Sequence, residues 1–480
     1  MKPVLAWFRN DLRLSDNPAL GWAVQTGNPV IPVFIRDEEP GTRAIGNASR
    51  WWLHGSLQAL AASLGALGSR LILRRGASAA VLEALVKETK AGAVCWNRRY
   101  DPVLSGQDRA IEDQLCATDL EVRTFNAALL VEPHEIRTAN GSPYKVFAPF
   151  WRRCLAQELR RPLLPPLSLS LPATWPASEP LEAWRPGRSY PEWPGRLAAL
   201  WKPGEVGALS RLEEFVRGAA STYATDRDKP GTSGTSRLSP HLHFGEVGPC
   251  QVADRLAWSG RDREEDPYLR QLGWREFSQY LLFHNPDLGT ANLRRDFDRM
   301  PWRDSPADLR RWQQGQTGYP LVDAGMRELL ATGWMHNRVR MVVASFLTKH
   351  LLIDWRSGAA WFWQTLVDAD WANNSTAWQW VAGTGTDAAP YVRVFNPIAQ
   401  SRRFDPEGRY VRTWVPELGR MPSRFIHAPW TASAPDLADA GVRLGETYPT
   451  PMVDHAEARQ RALRVYRSLV RGSRATGRHG

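Results

Sequence analysis

Over the first 130 residues, short apolar runs alternate with longer amphipathic stretches. Runs at 4–8, 30–35, 70–73 and 93–96 have strand length, and most are apolar at nearly every position rather than at every second one. Such continuity predicts strands buried on both faces, as in a parallel sheet covered by helices. Between them, 49–67 and 77–89 space their apolar residues as helices do. Strand alternating with helix predicts a doubly wound α/β domain over residues 1–131.

From 162 to 194 the pattern lapses, and nine of the chain's 36 prolines fall there. Proline fixes φ and lacks an N–H, so a linker over 132–200 is expected to wrap the surface. Beyond Trp201 the spacing turns helical and predicts an all-α domain over 201–471. Cap chemistry stands at Ser239-Pro240 and at Ser305-Pro306-Ala307-Asp308, with Ser expected at the N-cap, Pro in the first turn and Asp at the capping-box position. Residues 472–480 are Gly- and Arg-rich and are expected to form a disordered basic tail.

The 480 residues, 43% hydrophobic and 23% charged, have the balance of a soluble globular protein of two or three domains. Arg9 arrives too early for a signal peptide, and no run of about 18 apolar residues follows, so a cytoplasmic protein without a membrane segment is expected. Cys95, Cys116, Cys154 and Cys250 lie far apart with no C-x-x-C spacing. Reduced, mostly buried thiols are expected, with no metal, and a four-Cys cluster in the second half is excluded because only Cys250 lies there. The formal charge of +11 is largely arginine, whose planar fork matches phosphate. Nucleic acid is the natural partner of such a surface, although a basic surface can also serve solubility alone.

Many of the 23 tryptophans fall between Trp274 and Trp414, where core packing and function are both open readings. The loop Gly231-Thr232-Ser233-Gly234-Thr235-Ser236-Arg237-Leu238-Ser239 runs into a predicted helix start, which offers free N–H groups to a phosphate; an ordinary capped loop is the plainer reading. In 333–341, helical spacing sets Asn337 and Met341 on one face, with Val339, Val342, Val343 and Phe346 as the apolar stripe. An amide and a thioether together could receive a base, or simply face solvent. Asp368 and Asp370 suit acid/base chemistry, a metal, hydrogen bonds from a ligand, or pairing with an arginine such as Arg340. The sequence alone does not rank these.

Several motifs are recognisable in order: Trp-Phe-Arg-Asn-Asp-Leu-Arg-Leu at 7–14, Gly-Thr-Ser-Arg-Leu-Ser at 234–239, Trp-Arg-Glu-Phe at 274–277 and Trp-Met-His-Asn-Arg at 334–338. They continue with Asp-Trp-Arg at 354–356, Trp-Gln-Trp at 378–380 and Thr-Gly-Thr-Asp-Ala-Ala-Pro-Tyr at 384–391. Over essentially the whole chain these resemble the photolyase/cryptochrome family, and within it the bacterial class I cyclobutane pyrimidine dimer photolyases. The resemblance implies a deoxyribodipyrimidine photolyase, a carbon–carbon lyase. Its reduced FAD, bound in the helical domain, would give an electron to a dimer under blue light and take it back after the dimer splits.

By the same resemblance, Tyr223, Thr235, Ser236, Arg237, Leu238, Ser239, Asp368, Ala369 and Asp370 contact FAD, Asn374 faces the flavin N5, and an Arg340–Asp368 ion pair lies beside the ring. Trp378, Trp355 and Trp302 resemble the chain that carries electrons from the surface to an oxidised flavin. Trp274 and Trp380 are implied as walls of the lesion pocket, Asn337 and Met341 as its floor, and Arg275, Arg338 and Gln400 as DNA contacts. A flipped-out dimer in UV-damaged DNA is the implied partner, bound by a cytoplasmic, nucleoid-associated monomer. The N-terminal domain is similar to the half that holds an antenna chromophore, which can be a folate, a deazaflavin or a flavin.

One position departs from the pattern. Gln271 stands where class I dimer photolyases carry a Glu that bonds the 5′ base, so binding is expected to survive and repair yield to fall. Six-four photolyases carry Gln there, but a His pair where this chain has Asn337 and Met341. Cryptochromes share the flavin and the tryptophan chain, signal through a protein partner, and often add a long C-terminal extension. Here the chain ends soon after its last predicted helix, which favours repair.

Overall fold

β1 (Val4–Phe8), β2 (Val30–Asp37), β3 (Ile72–Gly76) and β4 (Ala93–Asn97) occupy the predicted runs, and β5 (Glu121–Phe125) joins them in a sheet of order β3-β2-β1-β4-β5. Every pairing is parallel, with Val4 opposite both Val30 and Ala93. The computed structural model describes residues 1–39, 41, 43–185, 193–257 and 266–476, without the side chains of Pro194 and of residues 470–476. The sheet carries α1 (Pro18–Gln25), α2 (Asn47–Ala66), α3 (Ser78–Thr89) and α4 (Pro102–Cys116). β5 was missed because Glu121, Arg123 and Thr124 make it polar, as an edge strand can be. α4 was missed although Asp101-Pro102 announces it: the Asp101 carboxylate accepts from Val103 N at 3.0 Å and Leu104 N at 3.3 Å.

Strand order reverses between β1 and β4, and the motif at 7–14 begins on β1. Its arginines are not surface charges. Arg9 donates to Asp108 Oδ1 at 3.2 Å, and burial pushes its guanidinium down to about 10. Arg13 donates to Gly245 O at 2.9 Å and to Ala127 O at 3.0 Å. The proline-rich segment follows the sheet, with Val30 N donating to Ser170 O and Glu179 N to Leu73 O, each at 2.9 Å. Residues 186–192 lie outside the described residues. Cys95, Cys154 and Cys250 are buried and Cys116 is exposed, all as free thiols.

Two compact units emerge: Met1–Gly218 with Ser236–Pro286, and Ala219–Thr235 with Asp287–Gly480. This division differs from a cut at residue 201, and buried polar contacts explain why. In the first unit α5 (Phe147–Leu155), α6 (Glu205–Arg217), α7 (Pro249–Ala257) and α8 (Leu269–His284) join the sheet domain. Glu205 accepts from Leu14 N at 2.8 Å and Ser15 N at 2.9 Å. Glu246, fully buried, accepts from Trp52 Nε1 at 3.0 Å and Gly204 N at 2.7 Å, and also from Ser56 Oγ and His241 Nδ1. Glu246→Leu would strand those donors, and urea unfolding should show a loss of about 3–5 kcal/mol. Glu246→Gln, which keeps an acceptor, should lose less.

In the second unit α9 (Pro320–Thr332), α10 (Asn337–Ser345), α11 (Trp355–Thr365) and α12 (Trp371–Ala382) enclose one apolar core with Val339, Val343, Phe346, Trp355 and Trp378. α13 (Pro397–Phe404), α14 (Arg409–Trp414) and α15 (His455–Thr476) complete the main helices. The expected tail is corrected in part: α15 continues past Arg471 to Thr476, and 477–480 lie outside the described residues. Two cap expectations are also corrected. Ser305 precedes its helix without a side-chain capping bond, and Ser239 is the first residue of a five-residue helix rather than its cap.

α10 runs into a buried π-turn, Phe346–His350. His350 Nε2 meets His455 Nδ1 at 2.8 Å, and burial, aided by the neighbouring His455, holds the His350 imidazole down to about 3. The unfolded chain therefore binds a proton near pH 6.5 that the fold refuses, so stability falls as pH falls below that value. Relative to His350→Phe, the protein should lose about 2 kcal/mol between pH 7 and pH 5 in unfolding measurements.

Candidate functional site

The two acids of the 367–380 stretch have separate partners. Asp370 is the N-cap of α12, its Oδ1 accepting from Asn373 N at 2.8 Å and Asn373 Nδ2 at 2.6 Å. Asp368 pairs with Arg340, whose Nη2 lies 2.9 Å from Oδ2 and 3.2 Å from Oδ1. Arg340 Nε also donates to Met335 O at 2.7 Å, which fixes the guanidinium on α10. Ala369 between them is buried. Asn374, one turn into α12, donates from Nδ2 to Ala359 O at 3.0 Å, so its amide has a set orientation.

Trp378, Trp355 and Trp302, far apart in sequence, meet on one core, the first two buried and Trp302 half-buried against them. The Trp378 indole packs on Gly358 of α11, where a Cβ would overlap its ring carbons. Phe362 and Trp312 meet it edge-on, with ring centroids 5.1 and 6.2 Å away. Trp378 Nε1 is buried without a hydrogen-bond partner among the described residues, whereas Trp355 Nε1 donates to Asn292 Oδ1 at 2.9 Å. Sequence reasoning missed Asn292, and also Gln379, overshadowed by the indoles on either side. Fully buried, Gln379 donates to Leu288 O at 2.7 Å and Ala291 O at 2.9 Å and accepts from Leu293 N at 3.0 Å, which fixes the 288–293 loop.

On α10, Asn337 is exposed and Met341 half-buried, while Val339, Val342 and Val343 turn into the core. Arg338 Nη2 lies 2.8 Å from Asp228 Oδ2, and its guanidinium carbon 4.5 Å from the Phe404 ring centroid. The segment ahead of it is also fixed: Tyr223 is buried, and the backbone of Gly234 lies so close to Asp226 that a Cβ would not fit. Thr235 and Trp380 are half-buried. Gln400 Oε1, Arg338 Nε and Thr386 Oγ1 are buried without a hydrogen-bond partner among the described residues. Orphaned donors and acceptors of this kind fit a polar ligand.

The remaining candidates belong to the first unit. Ser236 Oγ lies 2.7 Å from Tyr268 OH and accepts from Leu238 N at 3.2 Å; Arg237 takes a left-handed φ of 52° and is exposed, Leu238 is buried, and Ser239 opens its short helix. Gln271 and Trp274 are half-buried on α8, and Trp274 stacks on Phe147 with centroids 4.0 Å apart. Arg275 donates to Ala128 O at 2.8 Å and Glu276 Oε1 at 3.0 Å. Glu276 also accepts from Leu130 N at 2.8 Å, and burial pushes its carboxyl up to about 7.

Among the described residues, no helix is long and apolar enough to cross a membrane. Residues 4–169 match the DNA photolyase family and residues 268–468 the FAD binding domain of DNA photolyase. The chain is 48% identical to the deoxyribodipyrimidine photo-lyase of Agrobacterium fabrum over 97% of its own length and 98% of that protein's. It is 41% identical to cryptochrome-1 of Arabidopsis thaliana over 99% of its length and 72% of that protein's. A crystal structure described as a bacterial class III photolyase from Agrobacterium tumefaciens superposes with a TM-score of 0.95 at 48% identity, covering 98% of each chain. The likeness to class I is therefore corrected: the comparisons support the family and not that subtype. The chain belongs to the DNA photolyase/cryptochrome family, with a parallel α/β N-terminal domain and a helical FAD-binding domain.

Proposed function

We propose that this protein is a cyclobutane pyrimidine dimer photolyase of the class III kind, a cytoplasmic monomer that repairs UV-damaged DNA under blue light. The observation that carries the reading is the arrangement of the second unit, where the Arg340–Asp368 pair, the oriented Asn374 and buried Trp378 and Trp355 are carried by α10, α11, α12 and the segment that leads into α12. Tyr223, Thr235, Asp368, Ala369, Asp370 and Asn374 are the residues we assign to FAD there, together with Ser236, Arg237, Leu238 and Ser239 of the first unit. FAD supplies light-driven one-electron chemistry when bound. The protein supplies position, and no nucleophile or general base is required of it.

Before repair, Trp378 gives an electron inward and is refilled through Trp355 and Trp302. For the lesion we assign Asn337, Met341 and Trp380, and on α8 Gln271 and Trp274. A cross-linked pair has already lost part of its stacking, so flipping it out costs less than flipping intact bases, and indole faces replace the stacking that remains to be lost. Arg338 and Gln400 are assigned to the DNA strand, where contacts hold without reading sequence. Gln271 still accepts and donates hydrogen bonds but carries no charge, so it binds the 5′ base more weakly than a carboxylate would. A receptor reading is favoured by the 41% identity to cryptochrome-1 and by the similarity to other cryptochromes. Illuminating the photoreduced protein with an oligonucleotide that carries one thymine dimer separates the two: dimer loss in light but not in the dark supports repair.

A further inference from the structure

We infer that Asn292 and Asp298 are positioning residues that make Trp355 a better electron donor than Trp378, so that oxidation moves outward along the tryptophans and stays there. The inference rests on the proposed relay of Trp378, Trp355 and Trp302. Both indoles are buried in the same core, yet their N–H groups differ. Trp378 Nε1 has no hydrogen-bond partner among the described residues, and Trp355 Nε1 donates to Asn292 Oδ1 at 2.9 Å.

Asn292 is itself buried, and its Nδ2 donates to Asp298 Oδ1 at 2.7 Å. A carboxylate only accepts, so this bond dictates which end of the amide meets the indole: the oxygen must face Trp355. The loop cannot drift, because Leu293 N is held by Gln379 Oε1 at 3.0 Å and Arg294 N by Thr384 O at 2.8 Å.

An electron passes from the Trp355 indole to the oxidised Trp378 indole; Trp378 returns to neutral and Trp355 carries the positive charge. No bond between heavy atoms forms or breaks, and the Nε1 proton stays in the hydrogen bond to Asn292. A hydrogen bond to a charged donor is stronger than one to a neutral donor, and buried groups feel this more than exposed ones. The charge is therefore better held on Trp355 than on Trp378. Two neighbouring groups do not reverse this order. The Arg356 guanidinium carbon lies 4.8 Å from the Trp355 ring centroid, but Arg356 is paired with Asp354 at 2.9 Å. Trp312, beside Trp378, also has a bonded N–H, to Val343 O at 3.0 Å, but that acceptor has no carboxylate behind it.

The test uses the FAD-loaded protein with two readouts. In the dark, the indole ¹H–¹⁵N resonance of Trp355, identified by its loss in Trp355→Phe, should shift upfield in Asn292→Ala. After a blue flash on the oxidised protein, the yield of long-lived oxidised tryptophan should fall about tenfold in Asn292→Ala, equivalent to about 1.4 kcal/mol. Asp298→Asn, at an exposed position, covers the case in which Asn292→Ala fails to fold, and should lower the yield about threefold as the amide loses its enforced orientation. An unmoved Trp355 resonance, or an undiminished yield in either variant, overturns the inference. A Trp378→Phe control that still photoreduces at the wild-type rate removes the relay itself, and the inference with it, whatever Asn292 does.

Discussion

Trp378→Phe should leave a folded, FAD-binding protein whose flavin photoreduces at least about tenfold more slowly, a change of about 1.4 kcal/mol or more in the barrier. The indole N–H makes no hydrogen bond among the described residues, so its removal strands no partner. A phenyl ring still packs on Gly358 and Phe362, and the smaller ring costs about 1–2 kcal/mol of stability, less than truncation to alanine. What is lost is an oxidisable ring. Steady-state photoreduction and urea unfolding of the same preparation check both halves. Loss of photoreduction beyond the loss of stability identifies an electron donor.

Asp368→Ala should act in the opposite order, on stability and flavin retention first. The side chain is 4% exposed and Arg340 is 23% exposed, so the variant leaves a mostly buried guanidinium without its carboxylate. Removing one partner of a buried pair costs about 3–5 kcal/mol, and the partial exposure of Arg340 places the expectation nearer 2–3 kcal/mol. Arg340 keeps its bond to Met335 O, so the helix start should persist while the guanidinium swings on that tether. Asp368→Asn retains an acceptor and should lose less. Flavin content after gel filtration, set beside unfolding midpoints, is the measurement.

The sheet was legible because β1 and β4 are apolar on both faces, a pattern that few other arrangements produce. β5 was not, since an edge strand with Glu121 and Arg123 facing water reads as loop. Of the candidate site, the family resemblance pointed to Asp368, Asn374 and the three tryptophans Trp302, Trp355 and Trp378. It could not supply Asn292 or Gln379, whose importance comes from contacts made across 63 residues in one case and about 90 in the other. Nor could it show that Arg9 and Arg13 are structural: a buried arginine and a phosphate-binding one look alike in sequence, and only carbonyl and carboxylate partners tell them apart. The dividing line between the units was hidden for the same reason, because buried Glu205 and Glu246 bind helical segments to the sheet domain.

The most direct test is a repair comparison on two defined oligonucleotides, one with a cyclobutane thymine dimer and one with a six-four photoproduct. The purified, photoreduced protein and Gln271→Glu are assayed under blue light with dark controls. Light-dependent loss of the cyclobutane dimer alone, with a higher yield in Gln271→Glu, is the predicted result. Intact dimers in both forms, with flavin bound and photoreducible, would contradict the repair function and favour a light receptor.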